Sequence, residues 1–153
     1  MKIVGIGETV FDIVFKDGKP QAAVPGGSVF NAIISLGRTA GAAAASTAPR
    51  VIMATQMGKD NVAEIITGFM RRNNVEITHA ICVEGRQSTI SLAMLDSRND
   101  ARYEFFRDSA MPKFQTPDIE FEPGDILLFG SFFAISPATR LQVRELVARA
   151  RSQ

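Results

Sequence analysis

Residues 25 to 41 read Pro25-Gly26-Gly27-Ser28-Val29-Phe30-Asn31-Ala32-Ile33-Ile34-Ser35-Leu36-Gly37-Arg38-Thr39-Ala40-Gly41. Two adjacent glycines and an asparagine open what is otherwise an apolar helix. Val29, Ile33, Leu36 and Ala40 recur at helical spacing and form one face for a core, while Gly27, Asn31 and Ser35 lie along another. The first N–H groups of such a helix have no intrahelical acceptor. Glycines at its start let a ligand approach the backbone closely, and Asn31 adds donors and an acceptor one turn later. A small polar ligand fits this arrangement. On these residues alone, a tight turn followed by an asparagine near a helix start fits as well.

Working outward, residues 2 to 7 form a short apolar run ending in Gly5-Ile6-Gly7, expected to be a buried first strand that another element approaches closely. A dinucleotide fingerprint fails here, because Val10 stands where its third glycine is needed and Thr9-Val10-Phe11-Asp12-Ile13-Val14-Phe15 continues as strand rather than helix. Phe11 to Phe15 and Gln21 to Val24 flank Lys16-Asp17-Gly18-Lys19, a strong hairpin signal.

Past Gly41 the stretch Ala42 to Pro49 is of small residues and reads as a loop or as a prolongation of the helix, with Gly41 favouring a stop. Val51 to Met57 is a second buried strand. Asn61 and Glu64 have capping-box spacing, and Val62, Ile65, Ile66, Phe69 and Met70 trace the inward face of a helix ending near Asn73-Asn74. A second hairpin spans 88 to 107, where period two puts Tyr103, Phe105 and Arg107 on one face. Asp125 to Gly130 is a buried strand, and Ser136-Pro137 starts a last helix with Val143, Leu146, Val147 and Ala150 inward. Strands alternating with helices predict an α/β fold with a largely parallel sheet.

The bulk properties narrow the function. A chain of 153 residues, 46% hydrophobic and 22% charged, is long enough for a sizeable core. Seventeen Lys and Arg against sixteen Asp and Glu leave a formal charge of +1, and no basic stretch tracks a phosphate backbone, so nucleic acid is not the expected partner. No apolar run reaches the ~18 residues of a membrane span, and a cytoplasmic protein is the expectation. The single cysteine, Cys82, sits between Ile81 and Val83 and reads as a buried strand thiol rather than a nucleophile. The only histidine, His79, reads as an exposed loop residue, which argues against a His-paired nucleophile.

In its Gly-Gly-x-x-x-Asn helix start, and in the order strand, Asp-bearing hairpin, Gly-Gly helix, strand, Gly58-Lys59-Asp60 turn, helix, hairpin, strand, the chain resembles the PfkB, or ribokinase-like, carbohydrate kinases over nearly its whole length. That resemblance implies a ribokinase-like three-layer α/β sandwich with a largely parallel sheet and a small β-hairpin lid, truncated here. Residues 1–153 would be its N-terminal, sugar-binding half, with lid hairpins at about 8–25 and 88–107. Asp12 falls where the family places a carboxylate that accepts hydrogen bonds from sugar hydroxyls, and Gly26, Gly27 and Asn31 fall on its sugar-binding signature. Ala101 to Arg107 is similar to the second lid hairpin of fructokinase-like and 2-keto-3-deoxygluconate kinase-like members, which makes Phe105 and Arg107 substrate-binding candidates. An aromatic cross-strand pair beside a solvated arginine fits Phe105 and Arg107 equally. Leu127 to Ser131 also looks fructokinase-like, with Gly130 and Ser131 where ribokinases carry glutamate, tilting the acceptor from ribose toward a hexose or keto-sugar acid.

The family's catalytic motif, Asp-Thr-x-Gly-Ala-Gly-Asp, is absent from the 153 residues, and Pro123-Gly124-Asp125 reads as a turn. Nor is there a Walker A loop, since Asp60 follows Gly58-Lys59 and Met53 replaces the upstream glycine. The resemblance therefore implies ATP-dependent phosphorylation of a sugar hydroxyl in a longer enzyme using ATP and Mg2+, with this chain carrying the sugar site, no catalytic residue and no cofactor site. A homodimer through the lid is also implied. Two other readings stay open: a non-catalytic sugar-binding or dimerisation module, and a nucleoside kinase acting on an adenosine-like acceptor.

Overall fold

The computed structural model describes residues 1–43 and 48–153. A four-stranded parallel sheet has the order β5-β4-β1-β8, formed by β1 (Lys2–Ile6), β4 (Arg50–Gly58), β5 (Ala80–Val83) and β8 (Ile126–Phe129). Alternation along β1 and β4 sorts side chains to two faces. Ile3, Val51 and Met53 meet α1 (Ser28–Ala42) and α2 (Asn61–Arg72), whereas Val4, Ile6, Ile52 and Ala54 meet α4 (Arg140–Arg151) and Phe114, Ile119 and Phe121. Helices on both faces make a three-layer α/β arrangement. Phe30 and Ile33 of α1 are fully buried, each contributing about 1.5–3 kcal/mol.

The anticipated close approach at β1 is α1 itself. A Cβ on Gly5 would lie 2.2 Å from Ile33 Cγ1, and one on Gly7 would lie 2.9 Å from Val29 Cβ. Inward positions on α1 are as expected, Val29, Ile33 and Ala40 being buried and Leu36 packed at the margin. The helix runs through Gly41 to Ala42; of the small-residue stretch, residues 44–47 lie outside the described residues.

Two hairpins build a second sheet of order β3-β2-β6-β7, from β2 (Val10–Lys16), β3 (Lys19–Gly26), β6 (Ile90–Leu95) and β7 (Ala101–Phe106). Asp17 and Gly18 both have positive φ, 51° and 70°, as a two-residue turn between twisted strands requires. Strands β2 and β6 run parallel although each belongs to an antiparallel hairpin.

Several local expectations need correction. The cap of α2 is Asp60, whose carboxylate accepts the Ala63 N–H at 2.8 Å, not Asn61. Ile65 is 45% exposed, because the contact stripe runs through Ala63, Ile66, Thr67 and Met70, leaving Val62 and Phe69 on its flanks. Cys82 is exposed: β5 is the edge of its sheet, so alternation there does not guarantee burial. The last helix starts at Arg140, beyond a turn at 136–139 and a short extra helix, α3 (Ser131–Ile135). Val143 and Leu146 are buried and Val147 and Ala150 pack beside them, as expected. His79 sits in a turn and is half-buried rather than exposed.

Candidate functional site

Asp12 lies mid-strand in β2, and cross-strand register fixes its neighbours. Val24 of β3 and Ser91 of β6 stand opposite it, and Phe105 of β7 stands opposite Ser91. Directly opposed residues share a face, so Val24, Asp12, Ser91 and Phe105 form one row across the second sheet. Ser91 is fully buried, and its hydroxyl donates to Asp12 Oδ1. Asp12 Oδ2 lies over Gly26, where a Cβ would come within 2.1 Å of it.

The two glycines therefore make room first for this chain's own atoms. Gly26 accommodates the Asp12 carboxylate. Gly27 has φ 127° and lies so near the Glu8 carbonyl oxygen that a Cβ would stand 2.5 Å from it. Gly27 is the N-cap of α1 and offers no side-chain acceptor, while its carbonyl takes the Asn31 N–H at 2.9 Å. The Asn31 side chain is exposed, and its amide has no hydrogen-bond partner among the described residues.

Arg107 follows β7 and stacks over Phe105, its guanidinium carbon 4.4 Å from the ring centroid. Its Nε and Nη2 donate to the two Glu8 carboxylate oxygens at 3.0 and 3.2 Å. Tyr103 and Phe105 stack at 6.1 Å, consistent with a shared face. Glu8 thus ties the loop after β1, where Gly27 packs, to the second hairpin.

That hairpin is anchored at its base. Asp60 accepts the Ser88 N–H at 2.7 Å and the Ser88 hydroxyl at 2.8 Å, and Asp108 accepts the Gln87 N–H at 3.0 Å. Burial works against ionisation of Asp60, yet the N–H groups of Ser88 and Ala63 and the Ser88 hydroxyl outweigh it and hold the carboxyl below its ordinary range. Although Cys82 is exposed as a residue, partial burial of its thiol pushes it up, with Asp60 adding to the effect, which is the opposite of nucleophile activation. Pro123-Gly124 forms a turn as expected, with Gly124 at φ 91°, and Asp125 is structural: it binds Lys2 through the backbone N–H at 2.7 Å and the ammonium at 2.9 Å.

The structure brings Asp12 to Gly26, Gly27 to Glu8, and Arg107 to both Glu8 and Phe105. Asn31 stands one turn into α1, joined to this group through its backbone N–H on the Gly27 carbonyl, while its side chain hydrogen-bonds none of them. An open hollow of about 420 Å³ lies beside this group, lined by Glu8, Gln56, Gln87, Arg107, Asp108 and Phe132 among others. Of the six candidates only Arg107 lines it. Glu8 and Ser91 are not among the six sequence candidates. Glu8 was findable as the first acid after a buried strand, whereas Ser91 depends on the pairing of strands 79 residues apart.

No protein-family model matches the chain, and no curated protein sequence matches it significantly. Solved structures do. The chain is similar to Halothermothrix orenii fructokinase (TM-score 0.78, 18% identity, 99% of this chain and 54% of that one). It is also similar to a sugar kinase from Pyrococcus horikoshii (0.77, 19%, 98% and 52%) and to Vibrio cholerae fructokinase with fructose, ADP and calcium ion bound (0.75, 16%, 99% and 48%). The chain spans about half the length of these proteins. Its fold is that of the PfkB, ribokinase-like sugar kinases, and it comprises roughly half of that fold.

Proposed function

We propose that this chain is the sugar-binding half of an ATP-dependent carbohydrate kinase that phosphorylates a hydroxyl of fructose or a related sugar. One observation carries the reading: a half-buried carboxylate, Asp12, is held in a cross-strand row with one oxygen engaged by Ser91 and the other lying over Gly26 at the entry to α1. A fixed anionic acceptor beside a helix start suits a neutral polyol, whose hydroxyls donate to the carboxylate and accept from the Asn31 amide. The second sheet is the lid in this reading, and Phe105 and Arg107 border the acceptor.

In this reading the chain supplies no magnesium–nucleotide site of its own, which is supported by the lack of both an Asp-Thr-x-Gly-Ala-Gly-Asp motif and a Walker A loop in its sequence. Phosphoryl transfer needs in-line positioning and charge stabilisation, of which this half supplies only positioning of the acceptor. ATP, Mg2+ and the general base belong to a further polypeptide segment. Exposed Met94 and Phe106, on the sheet face opposite Asp12, support a second copy docking there. No helix among the described residues is long and apolar enough to cross a membrane.

The test is a coupled phosphorylation assay on a polypeptide extended by the coding sequence following codon 153, with fructose, ribose, 2-keto-3-deoxygluconate and adenosine as acceptors. Preference for fructose supports the proposal; preference for adenosine, or no phosphorylation of any sugar, overturns it.

A further inference from the structure

We infer that Ser91 and the absent side chain at Gly26 act together as a clamp that presents one oxygen of Asp12 to a polyol ligand, making Ser91 a positioning residue for the sugar. The inference rests on the acceptor reading above for the identity of the ligand, but not for the clamp itself.

A carboxylate on a strand has two oxygens and rotates about its own side-chain bonds unless something engages it. Asp12 is engaged from one side only. Ser91 sits directly opposite on the parallel neighbour β6, is fully buried, and donates its hydroxyl to Oδ1. No other hydrogen bond to the Asp12 carboxylate occurs among the described residues, which leaves Oδ2 with its acceptor capacity free.

The position of Oδ2 is set by what is missing across the hairpin. An alanine at residue 26 would put its methyl 2.1 Å from Oδ2, far inside contact distance, so the carboxylate keeps its place only because residue 26 is glycine. Gly26 does not have the left-handed backbone of Gly27, so a methyl there acts through space rather than through backbone strain. One side of the clamp is a hydrogen bond and the other is a vacancy in shape. Together they aim a half-buried acceptor beside the start of α1, and a ligand hydroxyl meets an oxygen that need not be ordered first.

The experiment compares the wild-type chain with Ser91→Ala, Ser91→Thr and Gly26→Ala by crystallography of the Asp12 side chain and by calorimetric titration with fructose. In Ser91→Ala and Gly26→Ala the carboxylate is expected to leave its place over Gly26. Fructose affinity should fall roughly two- to tenfold in Ser91→Ala, the range of one lost positioning hydrogen bond, with the melting temperature nearly unchanged. Ser91→Thr keeps the hydroxyl and should restore both readouts. An Asp12 side chain unmoved in Ser91→Ala, with fructose affinity equal to wild type, overturns the inference. If Asp12 moves in the variants but the wild type gives no heat with fructose, the clamp stands and the proposed acceptor class falls.

Discussion

Glu8 and Arg107, 99 residues apart in the chain, meet through a two-oxygen, two-nitrogen ion pair that joins the loop after β1 to the end of β7. Both side chains remain partly in water, so the pair adds little to global stability, on the order of 0.2–1 kcal/mol. Its effect is local, because it fastens the second hairpin to the first sheet. Glu8→Gln should leave the melting temperature within a few degrees of wild type. Amide hydrogen exchange in β7 should quicken about fivefold, the equivalent of roughly 1 kcal/mol of local opening. Unchanged exchange in β7 would show that the pair does not hold the hairpin.

Gly27 combines a φ of 127° with a Glu8 carbonyl 2.5 Å from where its Cβ would be. Gly27→Ala is therefore expected to destabilise the chain by about 1–3 kcal/mol, measured by urea unfolding at neutral pH. Loss below about 0.5 kcal/mol would mean the helix start shifts freely and does not depend on this contact.

Asp125 gives the chain a defined acid response. Burial alone would raise its carboxyl, but the Lys2 ammonium, with the Glu122 and Lys2 backbone N–H groups, brings it down to about 2 from 3.8. A carboxyl lowered on folding contributes stability that is complete above pH 3.8 and is lost as pH falls toward 2. The contribution is on the order of 2 kcal/mol. Asp125→Asn should lower the urea midpoint at pH 6 and flatten the decline between pH 4 and 2. A variant whose decline in that window matches wild type would assign the acid response to other groups.

Strand β8 is an edge, and Phe132, Ile135 and Leu141 beyond it are 85%, 67% and 64% exposed, with no charged residue from Ile126 to Ala138. An apolar edge without charge invites pairing. Sedimentation of the isolated chain should show concentration-dependent association, reduced in the double variant Ile126→Lys, Ile135→Lys. Association that is unchanged in that variant would place the contact elsewhere.

Much of this architecture was legible because local chemistry and global position agree. The Asp17-Gly18 turn, the buried alternation of β1 and β4, and the inward stripe of α1 each follow from a few neighbouring residues. What escaped depends on tertiary placement. Cys82 has apolar neighbours but sits in an edge strand, Ile65 belongs to an apolar arc wider than the surface α2 covers, and Asp60 displaces Asn61 as cap while also gathering Ser88 from 28 residues away. At the candidate site, the glycines were recognisable as sites of close approach. The approaching atoms, Asp12 Oδ2 and the Glu8 carbonyl, appear only once the strands are in register.

Whether Asp12 and Asn31 serve one sugar from two elements is decided by a crystal structure of the chain with fructose. Fructose hydroxyls are expected within hydrogen-bond distance of both Asp12 Oδ2 and the Asn31 side-chain amide. Fructose bound only in the hollow beside Gln56 and Phe132, or bound with neither of those groups in contact, would contradict it.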